Sequence, residues 1–207
     1  MFALIGSELK EHAPFTAVGA LTGIVLMFIF RHAPEHVSHE LFYVFHPLHV
    51  LLSALVTAAM YRRHSAPTEK RRCNVLALLA IGYFGSIGIA TLSDSLMPYI
   101  GEVILEMPYR HLHVGFIEKR WLISTMAVVG IIIAYFNPTT KFPHSAHVLI
   151  STWASLFHIL MALGKGAGWI VYGAVFIFLF LAVWLPCCIS DIVFPLLFVR
   201  QRSGGDE

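Results

Sequence analysis

Residues 46–53 read HPLHVLLS, and residues 144–151 read HSAHVLIS. Five of the eight positions are identical, including both histidines and the serine. A second pair of strings, SDSLMP at 93–98 and SDIVFP at 190–195, recurs at nearly the same separation, 97 residues instead of 98. Because polar residues match at an almost constant offset, the pattern indicates an internal duplication and not a chance likeness between apolar segments.

The duplicated strings lie in a strongly apolar chain. Of its 207 residues, 57% are hydrophobic and 13% are charged, whereas about 25% of the residues in a soluble domain are charged. This composition excludes an ordinary soluble domain and a disordered chain. The net charge of +2 gives no reason to expect a nucleic-acid partner, and three cysteines are too few for a disulfide framework.

Six apolar stretches predict an all-α integral membrane protein with about six transmembrane helices, whose first partner is the lipid bilayer. They cover residues 14–30, 41–61, 74–97, 121–136, 144–163 and 168–199. The third stretch has an apolar tail to residue 107, and the fourth is short for a bilayer. The sixth is too long for one straight crossing, so we expect Pro186 and Pro195 to kink or break it.

The duplication predicts a single membrane domain, residues 1–207, made of two three-helix repeats over about 14–107 and 121–199. With three crossings per repeat, the second repeat enters the membrane from the opposite side. The sequence therefore predicts an inverted repeat with a pseudo-two-fold axis in the membrane plane, an architecture found in many secondary transporters.

The basic loop after the second stretch suggests the orientation. It carries five Lys or Arg residues within 62–72, which predicts a cytoplasmic loop and two cytoplasmic termini in a plasma or inner cell membrane. Arg110, Lys119 and Arg120 would then lie outside, which argues against this orientation.

The repeated polar residues offer a metal site in each half. Residues i and i+3 share one face of a helix, so each HxxH pair presents two imidazoles to one point, and the aspartate of the next, antiparallel helix can approach them. Two imidazoles and a carboxylate suit a transition metal such as Zn, Cu, Fe or Mn. The predicted metal ligands are His46, His49, Asp94, His144, His147 and Asp191. In the alternative reading, the aspartates cap the turns before the prolines and the histidines are interfacial; whether one midplane site or two separate sites form is left open.

For the other histidines and the cysteines, the sequence gives weaker evidence of a functional role. A metal-collecting vestibule on the outer side is one reading of the loop histidines His32, His36, His39, His111 and His113, and ordinary interfacial residues are the other. We expect His158 to line a path or to hydrogen-bond a neighbouring helix. Thiolates of Cys187 and Cys188 could bind a soft metal such as copper or zinc, but free cysteine is a common small apolar residue in helices and we favour that interpretation. The predicted first repeat has no cysteine at the equivalent positions.

Three functions fit these features. The leading hypothesis is a divalent metal-ion transporter with an intramembrane histidine and aspartate site. The alternatives are an intramembrane metalloenzyme or redox subunit, of a hydrolase or a copper or iron oxidase type, and a b-type haem protein with axial histidines from different helices. A homo-oligomer and a partner subunit both remain open.

Overall fold

The computed structural model describes residues 2–65, 74–138, 141–163, 168–188, 194 and 198, with side chains from residue 13 onward except at 64, 141–145 and 188. Every regular element in these ranges is a helix. The helices are α1 (Phe2–Phe30), α2 (Glu35–Ser65), α3 (Val75–Thr91), a π-helical segment (Leu92–Leu96), α4 (Met97–Ile104), α5 (Gly115–Glu118), α6 (Arg120–Phe136), α7 (Lys141–Ala162) and α8 (Trp169–Cys188).

Each of the six predicted apolar stretches overlaps at least one of these helices. Four helical stretches in the described part of the chain are long and apolar enough to cross a membrane: Ala13–Phe30, Glu35–Arg63, Val75–Ile104 and Trp169–Cys187. This is the composition of an α-helical membrane protein. The apolar helices Arg120–Phe136 and Ala146–Ala162 are shorter, so a count of six crossings stays a prediction.

The third stretch is continuous, but it widens into the π-helical segment just before Pro98. Proline has no N–H, so in an α-helix the carbonyl of Asp94, four residues earlier, would have no donor. Just before the proline, the backbone N–H of Met97 bonds the carbonyl of Leu92, five residues back, which is the π-helical pattern. Pro186 lies inside α8, and Pro195 lies outside the described residues.

Helix α2 is the centre of the bundle and packs mainly against α7, α6 and α3. One apolar cluster joins α2, α3 and α6 around Ala54, Leu78 and Ile131. A second cluster joins α1, α7 and α8 around Met27, Leu156 and Leu179. The first cluster includes α2 and the second includes α7, and these two helices pack against each other. Most of the buried polar residues lie on α2, α7 and the π-helical segment.

Helices α2 and α6 approach each other closely at Gly130. A Cβ added to Gly130 would meet the backbone carbonyl of Leu51 and the side chain of Ala54. Glycine is therefore the residue that lets the two backbones come this close, a role that small residues commonly have between membrane helices.

Replacing Gly130 with alanine is expected to lower the free energy of unfolding by about 1–3 kcal/mol, because a backbone carbonyl cannot move aside as a side chain can. Thermal unfolding of the detergent-solubilised protein measures this effect. Gly88→Ala is the matched control: nothing lies within 4 Å of the added Cβ, and alanine favours the helix by up to about 1 kcal/mol. Equal stability of the two variants would contradict the close approach.

Candidate metal centre

The carboxylate of Asp94 is the centre of a buried polar cluster between α2, α7 and the π-helical segment. Its Oδ2 lies 2.7 Å from Nδ1 of His49 and 3.0 Å from Nδ1 of His46. Its Oδ1 accepts hydrogen bonds from Ser93 at 2.7 Å and from Ser151 at 2.8 Å. All five side chains belong to fully buried residues, so one carboxylate gathers four polar groups from three elements.

These contacts determine which imidazole nitrogens remain available to bind a metal ion. An ionised carboxylate only accepts hydrogen bonds, so Nδ1 of His46 and Nδ1 of His49 each carry the proton and donate it to Asp94. The lone pair of each ring is then on Nε2. Both Nε2 atoms are buried and have no hydrogen-bond partner among the described residues. Metal-binding histidines commonly have this arrangement, with a carboxylate orienting the ring from behind.

The helix α7 is held against the π-helical segment by two serines. Ser151 bonds the Asp94 carboxylate, and Ser155 donates to the backbone carbonyl of Ser93 at 3.0 Å. The π-helical geometry interrupts the regular backbone ladder, so a side-chain donor for that carbonyl stabilises the segment. Cys187 of α8 joins the same network, with its Sγ 4.0 Å from Oγ of Ser151.

Three potential metal ligands from three helices meet beside this cluster. One ring nitrogen of His49, one of His147 and the Sγ of Cys187 lie within 4.8 Å of one another, and all three residues are buried. The rings of His49 and His147 are stacked, with centroids 5.7 Å apart. Since Asp94 occupies Nδ1 of His49, Nε2 is the nitrogen that this ring offers to an ion. Ligand atoms around tetrahedral zinc lie about 3.3–3.8 Å apart, which falls inside the 4.8 Å within which these three atoms lie.

The structure brings together His46, His49 and Asp94 from the first half of the chain, and His147 from the second half lies beside them. The side chain of His144 and all of Asp191 lie outside the described residues. Asp94 contacts the rings of His46 and His49 through their Nδ1 atoms and lies outside the three-ligand group, so its role as a direct metal ligand stays a prediction. Its oxygens already accept four hydrogen bonds, which suits a carboxylate that orients ligands.

The ring of His46 faces away from the three-ligand group. It stacks on Phe42, with ring centroids 5.1 Å apart. A Cβ added to Gly115 would collide with Cδ2 and Nε2 of this ring. The start of α5 therefore covers His46 closely, and glycine is the residue that leaves room for the imidazole.

A second group of ligand atoms lies near the N-terminal end of α2, the helix that begins at Glu35. Atoms of His39, His113 and Glu118 lie within 4.8 Å of one another. His113 Nδ1 lies 3.2 Å from Oε1 of Glu118, and the Tyr43 hydroxyl donates to Oε2 of Glu118 at 2.6 Å. This group, which we call the surface cluster, is partly exposed.

Only some of the predicted vestibule histidines belong to the surface cluster. His39 and His113 do, and the ring of His111 lies 4.7 Å from that of His113. His32 instead lines a separate cavity with Arg31 and Tyr109, and His36 is exposed and outside both ligand groups described here.

Electrostatics in the surface cluster favour a neutral imidazole beside an ionised carboxylate. Burial lowers the pKa of His113, and the nearby Glu118 carboxylate only partly offsets this. Burial alone would raise the pKa of Glu118, but the hydrogen bond from Tyr43 and the neighbouring His113 outweigh it and hold that pKa below its ordinary value. Both shifts favour the charge states that metal binding requires, a neutral imidazole and an ionised carboxylate.

A buried carboxylate–histidine pair adjoins the surface cluster and joins α4 to α7. Nδ1 of His158 lies 2.7 Å from Oε1 of Glu102, and both residues are buried. The backbone N–H of His113 donates to Nε2 of His158 at 3.2 Å, so Nδ1 carries the proton that Glu102 accepts. His158 thus hydrogen-bonds a neighbouring helix, which is one of the two roles that the sequence predicts.

Sequence reasoning did not assign Cys187, Glu102 and Glu118 to these groups. Cys187 was considered as a thiolate ligand but interpreted as an apolar helix residue, and Ala90 occupies the equivalent position of the predicted first repeat; its spacing of four residues before Asp191 is a same-face spacing in a helix. Glu102 follows Asp94 by eight residues, which is also a same-face spacing. Glu118 lies beyond an irregular connection, so no periodic signal points to it.

The chain matches no protein-family model, no curated protein and no solved structure. Its function therefore has to be argued from the geometry of these groups.

Ser151→Ala is expected to lower the free energy of unfolding by about 1–2 kcal/mol, because the buried Asp94 carboxylate loses a hydrogen-bond donor. Ser95→Ala is the matched control: Ser95 is buried in the same π-helical segment, and its hydroxyl has no hydrogen-bond partner among the described residues. Unfolding in detergent compares the two variants. A stability loss as large for Ser95→Ala as for Ser151→Ala would argue against a specific role of the Ser151–Asp94 bond.

Proposed function

We propose that this chain is an integral membrane protein that binds a transition-metal ion within the membrane and transports it as a divalent cation. The ion-binding residues in this proposal are His49, His147 and Cys187, and Asp94 orients the ring of His49. The proposal rests on the buried ligand group described above and on a continuous polar face of α2.

The polar face of α2 is the observation that favours transport. Six residues spaced by three or four positions lie along it, and five of them are buried: His39 at the partly exposed end, then Tyr43, His46, His49, Ser53 and Thr57. From residue 39 to residue 57 the helix rises about 27 Å, close to the roughly 30 Å thickness of a bilayer core. Polar groups inside membrane helices are costly and usually mark a path or a site.

The two hydroxyls at the far end of this face strengthen the argument. Ser53 and Thr57 are buried, and their hydroxyls have no hydrogen-bond partner among the described residues. A hydroxyl without a partner in a membrane interior is unfavourable unless water or a passing ion contacts it. An enzyme that acts from one side of the membrane would not need polar groups on both sides of its metal.

The ligand set indicates the class of ion. Imidazole binds Zn, Cu, Fe and Ni, and the additional thiolate favours the softer ions among them, Zn and Cu. Two histidines and one cysteine also leave a fourth position open for water or for an entering ligand. Zn²⁺ is the divalent ion that fits this set best, because it prefers tetrahedral sites with nitrogen and sulfur ligands.

The packing of the helices supports the finer architecture that we propose, six crossings in two inverted repeats. In the first half, α2 packs against α3 and also against α6, the first helix of the second half. In the second half, α7 packs correspondingly against α8 and against α1. The equivalent residues His49 and His147 meet at the α2–α7 contact. A pseudo-two-fold axis between these two rings would produce one shared site instead of two.

Transport is tested with the purified protein in liposomes that contain a Zn²⁺-sensitive dye. We expect Zn²⁺ to enter wild-type liposomes and His49→Gln and Cys187→Ser to slow this influx by about tenfold or more, because each removes a ligand. His36→Gln is the control, since His36 is exposed on the same helix and outside both ligand groups. Influx equal to that of protein-free liposomes, or unchanged influx in both ligand variants, would refute the transport proposal.

Metal binding is measured separately from transport. Co²⁺ accepts the ligands of zinc sites, and its bond to a thiolate gives a near-ultraviolet charge-transfer band. We expect this band in Co²⁺-loaded wild-type protein and its loss in Cys187→Ser. A band that persists in Cys187→Ser would exclude this cysteine as the ligand that produces it.

A second function is favoured by the same ligand set. Two histidines and one cysteine in a trigonal arrangement bind copper in blue-copper electron-transfer proteins, so we also consider a membrane redox subunit. The observable difference is the response to Cu²⁺. An intense visible thiolate band with reversible one-electron reduction, and no Zn²⁺ influx, would favour the redox function over transport.

A further inference from the structure

We infer that the surface cluster is a second metal site, in which His39, His113 and Glu118 bind a divalent transition-metal ion of the Zn²⁺ class. This inference stands on the geometry of the surface cluster and does not depend on the transport function. The ten residues from His39 to His49 on α2 correspond to about 15 Å of helical rise, so the two sites are separate.

The distances in the surface cluster match those between ligands of one ion. Two ligand atoms bonded to tetrahedral zinc at about 2.0–2.1 Å lie about 3.4 Å apart. Nδ1 of His113 and Oε1 of Glu118 are 3.2 Å apart and share a hydrogen bond, so an ion that binds both atoms takes the place of this proton and the neutral ring then carries its proton on Nε2. A ring nitrogen of His39 completes the group within 4.8 Å. The ring centroids of His39 and His113 are 5.7 Å apart, with planes at 77°. The two imidazoles therefore do not stack face to face.

Contacts behind the ligands hold them in these positions. The Tyr43 hydroxyl binds Oε2 of Glu118 at 2.6 Å, which leaves Oε1 facing His113. The backbone of His113 is tied to the buried ring of His158, whose other nitrogen is paired with Glu102. Outer contacts of this kind orient the ligands of metal sites and raise the affinity for the ion.

The chemistry of the ligands selects the ion. Two imidazoles and one carboxylate form a common ligand set of zinc sites in which three protein ligands leave the fourth position to water. Ca²⁺ and Mg²⁺ prefer oxygen ligands throughout, so the two histidines disfavour them. The surface cluster has no thiolate, so its ligands are chemically harder than those of the buried group His49, His147 and Cys187. Because only the buried group can give a thiolate absorption band, metal binding at the two sites can be observed separately.

Co²⁺ binding to the full-length protein in detergent tests the inference in a Cys187→Ser background, which removes the thiolate band of the buried group. We expect visible absorption bands of a tetrahedral Co²⁺ ion, of which a component is lost in His113→Ala and in Glu118→Gln. His36→Ala is the matched control, because His36 lies one turn from His39 on α2 and is exposed. The expected result for this control is an unchanged spectrum.

Competition between Zn²⁺ and bound Co²⁺ in the Cys187→Ser background measures the affinity of the surface cluster for Zn²⁺. We expect His113→Ala and Glu118→Gln to weaken the binding of one ion by at least about tenfold and Tyr43→Phe to weaken it by about tenfold, because Tyr43 acts only through Glu118. Identical spectra and affinities in His113→Ala, Glu118→Gln and His36→Ala, with unchanged elution in size-exclusion chromatography, would overturn the inference. Failure of Zn²⁺ influx in liposomes would leave this result unaffected, so the two proposals fail independently.

Discussion

The charge of one buried carboxylate constrains the centre of this protein. A carboxylate inside a membrane helix is stable only if several donors replace its water. Asp94 finds two imidazole N–H groups on α2, a neighbouring hydroxyl on its own segment, and a hydroxyl on α7. Each donor has to be held at a fixed position, so the carboxylate determines how α2, α7 and the π-helical segment pack. The π-helical segment ends two residues before Pro98 and contains Asp94, so it lies at the point where this carboxylate meets its donors.

The same interaction separates the roles of the polar residues. By occupying the Nδ1 atoms, Asp94 leaves the Nε2 atoms of His46 and His49 as the lone-pair positions. His49 directs its ring toward a group that contains His147 and Cys187, whereas His46 is enclosed by Phe42 and Gly115. Two histidines on one turn of α2, with the same contact to Asp94, therefore have different surroundings. Helical spacing alone does not reveal this difference.

How much of the candidate site could be predicted depends on whether its contacts are periodic. The approach of Asp94 to His46 and His49 follows from antiparallel neighbouring helices, and the sequence predicts it. The role of Ser151 does not follow, because its bond to Asp94 joins the second half of the chain to the first. Of the surface cluster, the sequence offers His39 and His113 as vestibule residues but not Glu118, which reaches Tyr43 and His113 through an irregular segment. The helices themselves were predictable because long apolar runs leave few alternatives in a bilayer, although the short α6 and α7 keep the number of crossings a prediction.

Charge balance explains why the two proposed sites have different ligands. In the buried group, a divalent ion would be neutralised by one thiolate, Cys187, and by the Asp94 carboxylate behind His49, so that no net charge remains in a medium of low dielectric constant. Binding there requires a deprotonated thiol, so each ion that enters releases a proton. The surface cluster has one carboxylate, Glu118, and would retain a net positive charge, which is tolerable because Glu118 is exposed and His39 and His113 are partly exposed. An ion moving from the surface cluster to the buried group would thus exchange hydration for anionic ligands, and its passage onward would depend on the thiol regaining its proton.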